Sequence, residues 1–375
     1  MNKLLIAAAG SGKTTYLIRK ALKIRDRNVL ITTYTEANAA EIKQKFVAQN
    51  GRVPGNITIQ TWFSFLLQHC VRPYQSAMHN DLTEKTIGFY LTDKQSGLKY
   101  LNGSGIPIYW GEQDFFQYYF TRQYQIYSDK IARFIIECNK KTYGEVINRV
   151  SRIFPYIFID EVQDLAGWEL EIIKLFFKSS SEVLLVGDPR QVTYLTHHPK
   201  KYEKYSNGNI AEYITNECPK DICEIDTTTL NRTHRNNQEI CNFSSLLFPT
   251  FQPSEPCDCE VCRRNTGGPE GVFLVKPEEV SDYLQRHPSI ILRERDAKHP
   301  EWNFGKSKGM TFDRVIIYPT KPIEKWLRDN TSGLAPASRC KFYVAITRAR
   351  YSVAIVIDYK QGEYVGIQKW EPILM

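Results

Sequence analysis

Along the first part of the chain, short apolar runs of strand length alternate with stretches whose apolar positions recur at helical spacing. The first run, Leu4-Leu5-Ile6, passes through the small and polar turn Ala7-Ala8-Ala9-Gly10-Ser11-Gly12-Lys13-Thr14-Thr15 into a segment with Leu17, Ile18, Ala21 and Leu22 on one helical face. Asn28-Val29-Leu30-Ile31-Thr32-Thr33 reads as a buried parallel strand. After Tyr34-Thr35-Glu36 a helix carrying Ala39, Ala40, Ile42 and Phe46 follows, then a third strand, Ile57-Thr58-Ile59. The rhythm returns at Tyr156-Ile157-Phe158-Ile159-Asp160-Glu161 and at Val183-Leu184-Leu185-Val186-Gly187, both apolar with polar tips. This alternation predicts a doubly wound parallel α/β sheet, whose ligands sit at the carboxyl ends of the strands.

From about 72 to 149 the rhythm breaks. Gly97, Gly103, Gly105 and Pro107 punctuate it, and a dense aromatic block follows, including Tyr109, Trp110, Phe115, Phe116, Tyr118, Tyr119, Phe120, Tyr124 and Tyr127. Interleaved with Arg122, Lys130 and Arg133, such aromatics suit the stacking of single-stranded bases. The plainer reading, a mostly helical insertion that uses them as its own small core, is preferred.

At 375 residues the chain has room for two domains with separate cores. The expected division is 1–225, with the insertion inside it, and 226–375. No apolar run approaches the roughly 20 residues of a membrane span, and Met1-Asn2-Lys3 opens no cleavable signal, so a cytoplasmic protein without a membrane partner is expected. The net charge of +8 leans towards a polyanionic partner. Nine cysteines in a cytosolic chain point to reduced thiols or metal rather than disulfides.

The turn after the first strand has the make-up of a phosphate-binding loop. Backbone N–H groups from Ala9 through Thr15, uncrowded at Gly10 and Gly12, would cradle phosphate oxygens at a helix N-terminus whose dipole favours their charge. Lys13 would reach the β and γ phosphates, and Thr14 would hold Mg²⁺. Asp160, ending its strand, is the second Mg²⁺ candidate. Glu161 is placed to orient or deprotonate an attacking water, with Asp164 as the next carboxylate available, and Gln191 could sense the γ-phosphate.

These residues stand in a known order, and the chain resembles the superfamily 1 helicases of the UvrD and Rep type. That family's phosphate loop reads A-x-A-G-S-G-K-T, as Ala7 to Thr14 does. Thr33-Tyr34-Thr35-Glu36-Ala37-Asn38-Ala39 resembles T-F-T-N-K-A-A, and Thr61-Trp62-Phe63-Ser64 is similar to T-F-H-S. Asp160-Glu161-Val162-Gln163-Asp164 resembles D-E-x-Q-D, and Gly187-Asp188-Pro189-Arg190-Gln191 resembles G-D-x-x-Q. Leu230-Asn231-Arg232-Thr233-His234-Arg235 is similar to L-x-x-N-Y-R, Lys308 to Asp313 to K-G-L-E-F-D, and Tyr343 to Arg350 to Y-V-A-x-T-R-A-R. The resemblance implies two RecA-like P-loop NTPase domains and hydrolysis of ATP with Mg²⁺. It makes Arg235 a γ-phosphate contact and Arg348 an arginine finger. It also implies movement on single-stranded or tailed duplex DNA, held by Thr35, Thr61, Trp62 and Ser64, with Tyr194 as a partial substitute for a base-stacking Trp.

The chain departs from the family pattern in several places. The family's adenine-stacking Tyr is His234 here, and the acidic residue of K-G-L-E-F-D is Thr311. The gap from Arg235 to Lys308 is too short for the family's large accessory domain. It contains Cys257, Cys259 and Cys262, three thiols at C-x-C-x-x-C spacing that are candidate Zn²⁺ ligands with Cys241, Cys223 or Cys218 as the fourth, the alternative being a metal-free loop. The missing domain also leaves room for a second function, an ATPase subunit that acts on a partner nuclease in a Gabija-like anti-phage complex or on another defence or repair protein.

Overall fold

In the computed structural model, residues 1–193, 201–263, 267–294, 302–329, 333–360, 364 and 367–371 are described. Two compact units are present, one of Met1–Leu5, Lys13–Gly187 and Leu195–Asp226, the other of Ile6–Gly12, Asp188–Tyr194 and Thr227–Met375.

The first unit is built on strands β1 (Asn2–Ile6), β2 (Val29–Thr33), β3 (Ile57–Thr61), β4 (Tyr156–Asp160), β5 (Glu182–Gly187) and β6 (Cys223–Asp226), in the order β6-β1-β5-β4-β2-β3. The pairings of β1 with β6, of β2 with β3 and β4, and of β4 with β5 are parallel. Every residue of β2 is buried, as a strand covered on both faces must be. Helix α1 (Lys13–Leu22) follows β1, and α2 (Glu36–Asn50) follows β2. The Thr35 hydroxyl caps α2 by accepting from the Asn38 N–H at 3.1 Å, and Gly51 closes it with φ of 76°, a conformation open to glycine without cost.

The stretch from about 72 to 149 carries helices, chiefly α3 (Ile131–Lys141), and α4 (Glu145–Ile153) runs on past its end. It also carries two small two-stranded sheets, at Gly88–Tyr90 with Gln125–Tyr127 and at Leu98–Leu101 with Pro107–Tyr109, which periodicity did not predict. Its aromatics form a core of their own. The rings of Phe115 and Phe116 lie 5.2 Å apart and those of Tyr119 and Phe134 5.3 Å apart, and Tyr119 and Phe120 are buried. The small aromatic core of the plainer reading is therefore present, but the segment is not mostly helical, since short strands and irregular chain between Gly and Pro residues make up most of it.

The second unit contains a six-stranded, wholly parallel sheet. A short parallel ladder precedes it, β7 (Arg232–Thr233) on β8 (Glu255–Pro256). The sheet itself comprises β9 (Gly271–Val275), β10 (Ile290–Arg293), β11 (Trp302–Asn303), β12 (Phe312–Tyr318), β13 (Ala349–Val356) and β14 (Gln368–Lys369), ordered β11-β10-β12-β13-β9-β14. Phe273, Val275, Ile316, Ala354 and Val356 pack with Tyr283 and Trp370 in its core. The α/β class with parallel sheets is as the sequence implied, and one such sheet in each unit is consistent with two RecA-like domains. No helix among the described residues is long and apolar enough to cross a membrane.

Candidate nucleotide site

The loop after β1 is made of side chains small enough to be buried, with Ala7 and Ala8 wholly covered and Ala9 nearly so. Gly10 and Gly12 have φ of 73° and 82°, which residues with a Cβ rarely adopt. Gly10 is needed for space as well: a methyl there would lie 2.7 Å from Arg235 Cβ and 2.7 Å from Thr233 Oγ1. Two backbone bonds hold the loop in the second unit, Ala8 N–H to Leu230 O at 2.8 Å and His234 N–H to Gly10 O at 2.9 Å. Ser11 Oγ is buried without a hydrogen-bond partner among the described residues. An orphan hydroxyl beside two left-handed glycines, at the start of a helix whose first N–H groups have no intrahelical partners, fits a phosphate cradle.

Within the first unit, α1 opens at Lys13 and sets Thr14 against the end of β4. The Thr14 hydroxyl donates to Asp160 Oδ2 at 3.3 Å. Burial first, and then the neighbouring charge of Glu161, push the Asp160 carboxyl up to about 7, while Lys13 and the bond from Thr14 oppose the rise. Two hard oxygen donors, one of them a buried carboxyl, fit Mg²⁺, which would supply charge neutralisation for phosphate oxygens. Glu161 is a non-glycine residue at φ of 57°, so the chain turns sharply as it leaves the strand. Its carboxylate accepts a hydrogen bond from Gln163 Nε2. Gly187 makes room for this amide, since a methyl there would come within 2.4 Å of Gln163 Oε1.

A second cluster, in the other unit, surrounds Gln191. Its amide donates to Asp188 Oδ2 at 2.8 Å and its carbonyl accepts from Arg348 Nη2 at 3.1 Å. Arg348 also donates to Val344 O at 3.0 Å and to Met310 O at 3.2 Å. Asp188 is paired with Arg190 Nε at 2.7 Å, and Arg190 reaches Ala7 O at 3.0 Å, so the ion pair is tied to the phosphate loop. Tyr343 directs its hydroxyl at the same carboxylate, 3.5 Å away. Arg235 donates to Thr347 O at 3.1 Å. Sequence reasoning missed Asp188, Arg190 and Tyr343 as site residues, although all three lie inside motifs it had marked. Their polar character beside an apolar strand and helix marks the motifs but does not say which partner each residue meets.

Other candidates fare differently. Trp62 is 1% exposed, on a short helix (Trp62–Phe65), and its indole N–H donates to buried Glu169 at 2.8 Å. That corrects its assignment to a DNA-stacking surface, because a ring enclosed by protein offers no face to a base. Thr61 caps the same helix, accepting from Ser64 N–H at 3.3 Å. Thr35 is exposed and Ser64 half-buried. Tyr194 lies outside the described residues. Cys257, Cys259 and Cys262 do come together, but their fourth neighbour is His234. Cys241 is buried in a helix (Gln238–Ser245), and the group of four includes neither it nor Cys218 nor Cys223.

Residues 1–197 match the family described as AAA domain, and residues 138–357 match the viral superfamily 1 RNA helicase core domain. The chain belongs to the superfamily 1 helicases. This helicase-family chain is 33% identical over 113 residues to an Acanthamoeba polyphaga mimivirus protein named "Putative ATP-dependent DNA helicase R568", which covers 29% of the chain and 14% of that protein. It is also similar to arterivirus nonstructural protein 10, a helicase, in a crystal structure and in a complex with DNA. Identity there is 14% and 13%, over 96% and 95% of this chain, with a TM-score of 0.48 in both. The superfamily 1 chain spans 60% of each of those solved chains.

Proposed function

We propose that this superfamily 1 helicase chain hydrolyses ATP with Mg²⁺ and couples hydrolysis to movement along single-stranded DNA, in the manner of the UvrD and Rep type. The observation that carries the hydrolytic part is the bond between the Thr14 hydroxyl and the buried Asp160 carboxylate, with Glu161 next in the chain. It joins the first turn of the phosphate-loop helix to the tip of a parallel strand, where a phosphate-bound cation would sit. In this reading Lys13 and the N–H groups of Ala9 to Thr15 hold the phosphates, and Glu161 takes or orients the proton of the attacking water. Gln191, Arg235 and Arg348 stabilise charge on the transferred group.

DNA is preferred as the polymer because the motifs of the first unit follow the UvrD and Rep order and Thr35 is exposed at its helix cap. The protein is proposed to act in the cytoplasm. The test is hydrolysis by the purified chain with and without single-stranded DNA or RNA, over a range of salt. Stimulation by DNA that fades as salt rises is expected, because phosphate contacts release counterions with a log–log slope of about −0.7 per phosphate. Hydrolysis indifferent to either polymer would sink the translocase reading, and stimulation by RNA alone would reassign the substrate.

A further inference from the structure

The short ladder of β7 on β8 ends in a cluster of soft ligands. Register pairs Arg232 with Glu255 and Thr233 with Pro256, and Cys257 N–H continues it to Thr233 O at 2.8 Å. His234 and Cys257 therefore leave the ladder side by side. A single turn (Glu260–Arg263) follows, and the bond from Cys262 N–H to Cys259 O at 3.2 Å brings those two residues to one side. The Sγ atoms of Cys257 and Cys259 lie 3.1 Å apart, and His234 Nδ1 lies 3.9 Å from Cys259 Sγ and 3.7 Å from Cys262 Sγ. All four ligand atoms fall within 4.8 Å of one another. A tetrahedral Zn²⁺ with Zn–S near 2.3 Å and Zn–N near 2.0 Å has ligand–ligand edges of about 3.5–3.8 Å. The set is close to that size, and its chemistry, three thiols and one imidazole, is that of a closed structural zinc site.

We infer that His234, Cys257, Cys259 and Cys262 bind one structural Zn²⁺, which braces the phosphate loop. Two-residue strands and a four-residue helix are too short to hold themselves in place, so this corner needs a staple of the kind a metal supplies. The brace reaches the loop by one residue: the N–H of His234 donates to Gly10 O at 2.9 Å, and Arg235 comes next. A cavity of about 320 Å³ opens beside it, bounded by Thr233, Arg235, Cys257, Cys262 and Arg350 among others. His234 thus serves the metal at the position where the helicase pattern carries a base-stacking Tyr.

The full chain, expressed with zinc in the medium, should carry about one zinc per chain by elemental analysis. Co²⁺ titrated into the chelator-stripped protein should give the thiolate charge-transfer and intense visible bands of a tetrahedral S₃N site. Zinc should fall at least about tenfold in His234→Ala and Cys262→Ser, stay in Cys241→Ser, Cys218→Ser and Cys223→Ser, and be retained in His234→Cys, which offers a fourth thiolate. Stripping should also speed amide exchange at His234 and Arg235. A parent protein that carries no zinc and shows no such cobalt spectrum overturns the site, whatever becomes of the variants. Zinc that survives Cys259→Ser and Cys262→Ser together places the metal elsewhere and overturns it too. None of these readouts uses ATP hydrolysis, so they stand or fall apart from the proposed activity.

Discussion

Arg348 and Gln191 form a buried pair: Nη2 of the arginine donates to Oε1 of the glutamine at 3.1 Å, with only 1% and 3% of the residues exposed. By their motifs both are candidates to face the γ-phosphate. They are held to each other, to Asp188, and to the carbonyls of Val344 and Met310.

Arg348→Ala should therefore do two things at once. Hydrolysis should fall by roughly 10³ to 10⁵-fold if the guanidinium stabilises the transition state. Stability should also fall, since each buried acceptor left without its donor costs about 1–3 kcal/mol. Turnover by the folded fraction, measured beside the melting temperature, separates the effects. A lowered melting point with turnover intact would make Arg348 structural only.

Glu161→Gln should keep nucleotide binding and lose about 10² to 10⁴-fold in turnover, as removal of a general base does. Glu161→Gly should be equally inactive, and the roughly 1–2 kcal/mol that glycine relieves at φ of 57° should be offset by the loss of an acceptor for buried Gln163, which costs about 1–3 kcal/mol, so its stability should stay near that of the parent. Thermal melts of both variants and nucleotide affinity of the Gln form check this. Normal turnover in Glu161→Gln would pass the role to another carboxylate, with Asp164 first in line.

The buried Asp160 carboxyl links Mg²⁺ binding to pH. Its folded value of about 7 is above the ordinary 3.8, so in the metal-free protein its contribution to stability is complete below 3.8 and is lost as pH rises through about 7. Mg²⁺ needs the ionised form and must displace that proton at lower pH. Apparent Mg²⁺ affinity should weaken by up to about tenfold per unit below pH 7 and level off above it. Titrations with Mg²⁺ across this range, on the wild type and on Asp160→Asn, read the effect. A pH-independent affinity in the wild type would show that Asp160 does not ligate the ion.

Trp62→Ala should be a folding defect rather than a selective loss of DNA binding. Removing a buried indole costs about 3–5 kcal/mol and leaves the Glu169 carboxylate without that donor. Chemical denaturation of the variant measures it. A stable variant that hydrolyses ATP but no longer responds to DNA would restore Trp62 to the strand-binding surface.

Gly10→Ala should disturb the loop even though alanine is small. The added methyl meets Arg235 and Thr233 at 2.7 Å, and φ of 73° disfavours it as well. Weaker ATP affinity is the expected result, read by equilibrium binding. Unchanged affinity would mean the loop opens away from Arg235 when nucleotide enters.

What the sequence determines and what only the fold decides divide along a physical line. Strand and helix periods, the phosphate loop, and the acids at the end of Tyr156–Asp160 were legible because they are local. Apolar spacing decides burial of an element, and loop glycines decide where phosphate can approach. The site roles of Asp188, Arg190 and Tyr343 were not legible, because nothing in a single residue's neighbourhood says that a carboxylate will be buried between a guanidinium and a phenol. Trp62 misled for the same reason, since a Trp at the start of a helix looks alike whether its face meets solvent or Glu169. The cysteines gave the spacing of a metal site but not its fourth member. His234 stands far from them in the chain, and only the pairing of Arg232–Thr233 with Glu255–Pro256 carries it to their side, because strand register, a property of the folded backbone, sets which distant side chains become neighbours.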